Sequence, residues 1–255
     1  MIKLIRNEHI KIFSKRSNRI LFLSFGILCL LLALIMKNLL SSSGNNESFI
    51  DYLLFSTNFL FLIQFFLIII AGSIVSNEYD WGTVKLLLIR PARRSKILLA
   101  KYITVLLIGF CLLLIYLILA LLFGMLLFGF FDLASDFEMI NKLPLIYLNS
   151  LVEVGVMATL AFSISTVFRS SVLATGIAIS LVLTGRTFVE VLAHYKIDWG
   201  RYILFANTDL TQFTIGNRPL FEGMALPFSI IILCGYMLVF LVSAWFVFCR
   251  RDVTV

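Results

Sequence analysis

The chain has 255 residues, 61% of them hydrophobic and only 14% charged, with a mean hydropathy of +1.03 and a formal charge of +7. Soluble domains carry about 25% charged and about 45–50% apolar residues, so this composition excludes a water-soluble globular enzyme and indicates an integral membrane protein. The basic excess is what cytoplasmic loops of membrane proteins supply, and it does not call for nucleic acid as a partner.

Residues 1–19 read as a helix. At 100° per residue Ile2, Ile5, His9, Ile12 and Phe13 share one face, while Lys3, Asn7, Lys11, Ser14 and Lys15 take the other; Leu4 and Ile10 blur the pattern. This predicts an amphipathic helix in the membrane interface, its basic side meeting anionic headgroups. It serves either as an anchor alone or as an elbow that also touches a partner. No cleavable signal peptide is evident, because the apolar run that begins at Ile20 continues to the length of a span.

Six apolar runs can bridge a hydrocarbon layer of about 30 Å at a rise of about 1.5 Å per residue. They are Ile20–Met36, Leu53–Val75, Tyr102–Phe130, Leu145–Val167, Val172–Leu192 and Ala225–Cys249. The third is longer than it needs to be and is expected to tilt, to kink at Gly109, Gly124 or Gly129, or to project beyond the bilayer. Pro91, Pro144, Pro219 and Pro227 all fall outside the spans or in their first turns, where a missing N–H costs least. With the N-terminus inside, segments 1–19, 77–101, 168–171 and 250–255 hold six, six, one and two basic residues, fifteen of the 21. Lys37, Lys142, Lys196, Arg201 and Arg218 fall outside, so both termini are predicted to be cytoplasmic. The outer segment 193–224, with Trp199, Tyr202, Phe205, Phe213 and Phe221, reads as partly re-entrant, as a cap over a pathway, or as an aromatic belt resting on the headgroups. The outer segment 131–144 is short and acidic and says little.

Three charges sit inside spans: Glu153 in the fourth, and Arg186 and Glu190 in the fifth. A central charge costs about 2.5–3.5 kcal/mol on insertion scales, so these side chains should face protein, a partner or water. Arg186 and Glu190 are four apart and can pair along one helix face, with Glu153 in reach of Arg186. They and Gln64 read either as polar points on a transport path or as packing pairs. Small residues four apart (Ala174 with Ala178, Gly176 with Ser180) allow close helix contacts, between subunits or within one. Cys29, Cys111, Cys234 and Cys249 read as buried, unpaired thiols, and the two histidines, His9 and His194, stand apart. No HExxH, paired-acid or GxxxxGK[ST] motif occurs, so neither an intramembrane metalloprotease nor a nucleotide site is supported, and no cofactor or metal is implied.

The segment between the second and third spans, "NEYDWGTVKLLLIRPARRSKILLAK" (77–101), carries six basic residues against two acids. Asp80 or Thr83 can cap a short helix through Leu86–Ile89. Pro91 ends that helix by excluding the helical conformation at Arg90, and Ser95 caps the helix that follows. From the residues alone, this is equally a positively charged loop that sets topology.

The pattern Glu78, Gly82-Thr83, Leu86-Leu87-Leu88, Arg90-Pro91, Arg94-Ser95 and Lys101 resembles the cytoplasmic-loop signature of ABC-2 type transporter permeases, most closely the small six-span bacterial export permeases. The basic N-terminus, the six spans and the Arg-Arg-Asp close resemble that family more loosely. The resemblance implies an all-α integral membrane fold: a single transmembrane domain over 1–255 with six transmembrane helices, an amphipathic elbow (1–19), a coupling helix (77–101) and a long extracellular segment (193–224). It also implies a multi-pass protein of the bacterial cytoplasmic membrane, powered by two copies of a separate P-loop ATP-binding subunit and paired with a second permease subunit. Glu78, Tyr79, Trp81, Gly82, Thr83, Lys85, Arg90, Pro91, Arg94 and Lys96 would then form the ATPase-coupling surface, with Glu78 positioning the helix. The expected function is export of an amphipathic or hydrophobic substrate such as a peptide antibiotic or a lipid. A non-transporting scaffold or sensor subunit is the alternative.

Overall fold

A computed structural model describes residues 1–43, 49–83, 93–129, 141–215 and 219–250. Eleven α-helices are described: α1 (Ile2–Ser14), α2 (Arg16–Ser43), α3 (Phe49–Thr57), α4 (Phe61–Ser73), α5 (Ser76–Asp80), α6 (Arg94–Phe128), α7 (Leu143–Val167), α8 (Ser171–His194), α9 (Leu204–Asn207), α10 (Thr211–Thr214) and α11 (Leu226–Arg250). A 3-10 turn over Asp198–Tyr202 precedes α9, and no strand occurs among the described residues. Among the described residues, six stretches are long and apolar enough to cross a membrane: Arg16–Leu39, Phe61–Asp80, and the whole of α6, α7, α8 and α11. The chain is a multi-pass helical membrane protein.

The helices form a bundle with α4 and α7 at its centre. The Phe61–Asp80 stretch, which α4 begins, and α7 each bury 56% of their most apolar part, whereas α11 buries 11%. Ile63, Leu67 and Ile68 of α4 meet Val105 and Ile108 of α6 and Ala158, Ala161 and Phe162 of α7 in the main core. Outward-facing Leu23, Ile231, Leu238 and Val242 stay exposed, as suits side chains whose solvent is hydrocarbon.

Two features of the spans differ from the sequence expectation. The second apolar run is not one helix but α3 and α4, separated at residues 58–60. The cause is local: Ser56, Thr57 and Asn58 turn their side chains back onto the carbonyls of Leu53, Leu54 and Phe55 at 2.6, 2.7 and 3.2 Å, competing with the helix ladder. The Ser56 carbonyl accepts from the Phe59 N–H at 3.0 Å and from the Tyr116 hydroxyl at 2.6 Å. The long third run carries no break at Gly109 or Gly124. Those glycines are notches that admit Leu67 and Phe49, and α6 ends at Gly129, whose φ of 76° favours glycine. At 35 residues α6 spans about 52 Å, so it projects beyond a bilayer at the end that carries Arg94 and Lys96. Its N-cap is Arg93, which makes no side-chain cap bond, and Ser95 lies inside the helix rather than capping it.

Residues 193–215 and 219–224 fold back between the far ends of α7, α8 and α11. Leu204, Ala206 and Leu210 are buried there, and Phe205 packs on Gly185, nine residues from the end of α8. The buried amides are served locally. Asn207 donates to the carbonyls of Arg201 and Ile203 at 2.8 and 2.9 Å, and Gln212 donates to the Ala206 carbonyl at 3.1 Å. Of the cysteines, only Cys29 is buried; Cys111 and Cys234 are exposed on outward faces, and all four are free. Ala174 and Ala178 are fully buried inside the subunit, whereas Gly176 and Ser180 line an open groove on α8.

At Gly72 the backbones of α4 and α8 come close. A Cβ there would lie 3.0 Å from Thr175 Cγ2 and 3.2 Å from Thr175 Cα. Gly72→Leu is expected to cost about 1–3 kcal/mol by overpacking, read as a lower melting temperature in mild detergent. An unchanged melting temperature would mean that α4 and α8 are not so closely apposed.

Candidate functional site: a charged knot at the start of the 77–101 segment

The segment begins where α4 yields to α5. The two N–H groups at that break, on Val75 and Ser76, both donate to Ser165 Oγ of α7 at 3.1 Å, and Ser76 Oγ donates to the Gly72 carbonyl at 2.8 Å. The turn is therefore fastened to the central helix instead of leaving buried donors unmet.

From α5, Glu78 points back into the protein. Its Oε1 accepts from Lys11 of α1 at 2.8 Å and from Lys101 of α6 at 3.0 Å, while Thr83 Oγ1 donates to its other oxygen. Lys101, only 1% exposed, also donates to Glu8 Oε2 at 2.7 Å and to the Ile74 carbonyl at 3.2 Å. An ammonium has three N–H groups, and here three acceptors surround it. Lys11 stands 3.6 Å from Glu8 as well, so two ammonium groups face two carboxylates in a charge-balanced knot. Such pairs hold in a poorly solvated site only when every donor and acceptor is met.

Asp80 Oδ2 accepts from the backbone N–H of Ser171 at 2.8 Å, at the first residue of α8, and Thr83 is committed to Glu78. Trp81 ends α5 and projects outward at 65% exposure, with Lys15 Nζ 5.0 Å from its ring centre. Gly82 follows at φ +66°, a conformation that a side chain would strain. Tyr79 packs against the main core, and Arg94 Nη1 donates to the Cys249 carbonyl at 3.3 Å, tying the far side of the segment to the end of α11. Lys96 is exposed. Lys85, Arg90 and Pro91, with the expected helix over 86–89, lie outside the described residues.

Glu8, Lys11 and Lys101 are the residues that sequence reading missed as site members. The helical wheel put Lys11 on a headgroup-facing side and passed over Glu8. In α1, Glu8 and Ile12 are the buried positions, while Ile2, Ile10 and Phe13 are exposed. A glutamate amid the apolar turns of a basic helix, and a lysine at the head of an uncharged run, were the available signals.

The intramembrane charges gather elsewhere. Gln64, Glu153, Arg186 and Glu190 all line one cavity of about 170 Å³ toward the far end. Arg186 Nη2 reaches Glu153 Oε1 at 3.4 Å, so the guanidinium pairs across helices rather than with Glu190 on its own.

Residues 27–254 match the family described as "Protein of unknown function (DUF2705)". The chain belongs to that family. Among its relatives, the "Uncharacterized membrane protein YdbK" of Bacillus subtilis (strain 168) is 39% identical over 246 residues, covering 96% of this chain and all of the relative. The "Uncharacterized protein YhcI" of the same organism is 44% identical over 216 residues, covering 80% of this chain and 68% of the relative. A membrane protein among the relatives agrees with the six apolar helices of this DUF2705 chain.

Proposed function

We propose that this chain is the permease subunit of an ATP-driven transporter of the bacterial cytoplasmic membrane. In this reading both termini and the 77–101 segment face the cytoplasm, a second permease subunit completes the pathway, and separate P-loop ATPases dock on the segment. The observation that carries the reading is the knot. A segment that only sets topology needs positive charge and nothing more, yet the start of this one is fastened to α1, α6, α7 and α8 through Glu78, Asp80 and the Ser165 contacts. Stiff fastening suits a part that must pass a partner's movement into the bundle. Trp81, exposed next to a rigid turn, is an anchor of the kind that dominates interface energies. Transport is expected to be outward, with an amphipathic substrate.

The test is purification from native membranes in mild detergent, followed by identification of what comes with the protein. A soluble P-loop ATPase is expected with the wild type, and about ten-fold less or lower with Trp81→Ala or Gly82→Trp, the loss of one interfacial anchor worth about 1.4 kcal/mol or more. Equal recovery with the variants, or no ATPase in any detergent, would favour the scaffold reading.

A further inference from the structure

We infer that the cavity between α4, α7 and α8 binds an amphiphile bearing one positive charge, an alkylammonium in its simplest form. Depth is the first argument. Glu153 is ten residues from the far end of α7 and Arg186 eight from that of α8, which places them about 15 and 12 Å below those ends, at the level of hydrocarbon. Polar groups at that depth are costly to leave unmatched.

Charge is the second. Two carboxylates, Glu153 and Glu190, line the cavity against one guanidinium, and Arg186 gives its ion pair to Glu153. Glu190 makes no ion pair among the described residues, so the wall carries one more acidic than basic side chain. An anion would meet that excess head-on, and a neutral chain would leave it unmatched. A cation balances it.

Shape is the third. About 170 Å³ admits a small headgroup and its first carbons, and the rings of Phe61, Phe65 and Phe205 line the space. Aromatic faces attract an ammonium without hydrating it. Gln64, 4% exposed, adds an amide to the same wall. Leu183, Arg186 and Glu190 are exposed on the outward side of α8, so the amphiphile's tail can remain in lipid while its head enters sideways.

As a substrate site the cavity rests on the permease reading; as a binding site it does not. The test therefore uses the full chain alone in lipid nanodiscs, without any ATPase, and radiolabelled dodecylamine as the probe. Empty discs of the same lipid supply the partition background. Saturable binding is expected, displaced by unlabelled dodecylamine but not by dodecanoate or dodecanol, which share the chain and differ in head charge. Glu153→Gln and Glu190→Gln are each expected to weaken binding about ten-fold, and Arg186→Gln to tighten it. Glu190 is exposed and makes no ion pair among the described residues, so its variant keeps the test open if the Glu153 variant does not fold. Binding equal to empty discs, displacement by dodecanoate, or full affinity in Glu190→Gln would overturn the site. Each of those results leaves the ATPase co-purification experiment, and with it the permease reading, standing on its own.

Discussion

Lys101→Met is expected to lower the unfolding free energy by about 3–5 kcal/mol, the loss typical of breaking a buried ion pair from one side. Methionine fills a similar volume, so packing changes little and the effect is electrostatic. Without the ammonium, Glu8 and Glu78 lose the cation they share, the Ile74 carbonyl loses its donor, and Lys11 alone faces two carboxylates. Thermal unfolding in mild detergent reads the change directly. A second substitution checks the cause: adding Glu8→Gln removes the stranded charge and should restore part of the loss, a coupling of about 1 kcal/mol or more in the double-mutant cycle. Additive losses, or a melting temperature equal to wild type, would mean that water already screens the knot.

Glu78→Gln carries the second large effect, on activity rather than on folding. The amide keeps an oxygen for Thr83 but no charge for Lys11 and Lys101, so α5 loses its strongest fastening while the apolar bundle stays as it is. Under the permease reading proposed above, substrate-stimulated ATP hydrolysis by the chain reconstituted with its ATPase is expected to fall about ten-fold or more, equivalent to about 1.4 kcal/mol of lost coupling, with the helical content unchanged. Glu8→Gln is the control, since it removes a charge from the same knot without touching α5. Equal losses in the two variants would show that knot stability, and not the fastening of α5, sets the activity. Full activity in Glu78→Gln would remove the knot from the coupling mechanism.

The two variants also separate what local sequence could and could not reveal. Composition and apolar run length sufficed for the membrane class and for the six spanning stretches, because the hydrocarbon layer imposes a length on every span independently of its neighbours. The ends of α7, α8 and α11 fall within two residues of their apolar runs for the same reason. The break at 58–60 was foreshadowed by its Ser-Thr-Asn cluster, yet a span of ordinary length across it was equally consistent with the hydrophobicity. For Arg186 the sequence offered two partners, Glu190 at i,i+4 and Glu153 on another span, and it is Glu153 that the guanidinium reaches.

What the amino-acid sequence determined by itself is therefore the set of parts: a membrane chain, its spans, its intramembrane charges, and a basic segment whose pattern resembles a coupling loop. The tertiary structure alone decided which parts meet. Glu8, Glu78 and Lys101 lie 70 and 23 residues apart and show no periodicity in common, and only the packing of α1, α5 and α6 brings them to one point. The physical reason is range. Hydrophobic matching to the bilayer acts on each stretch separately, whereas a charge excluded from water must find whichever partner the assembled bundle places within about 3 Å.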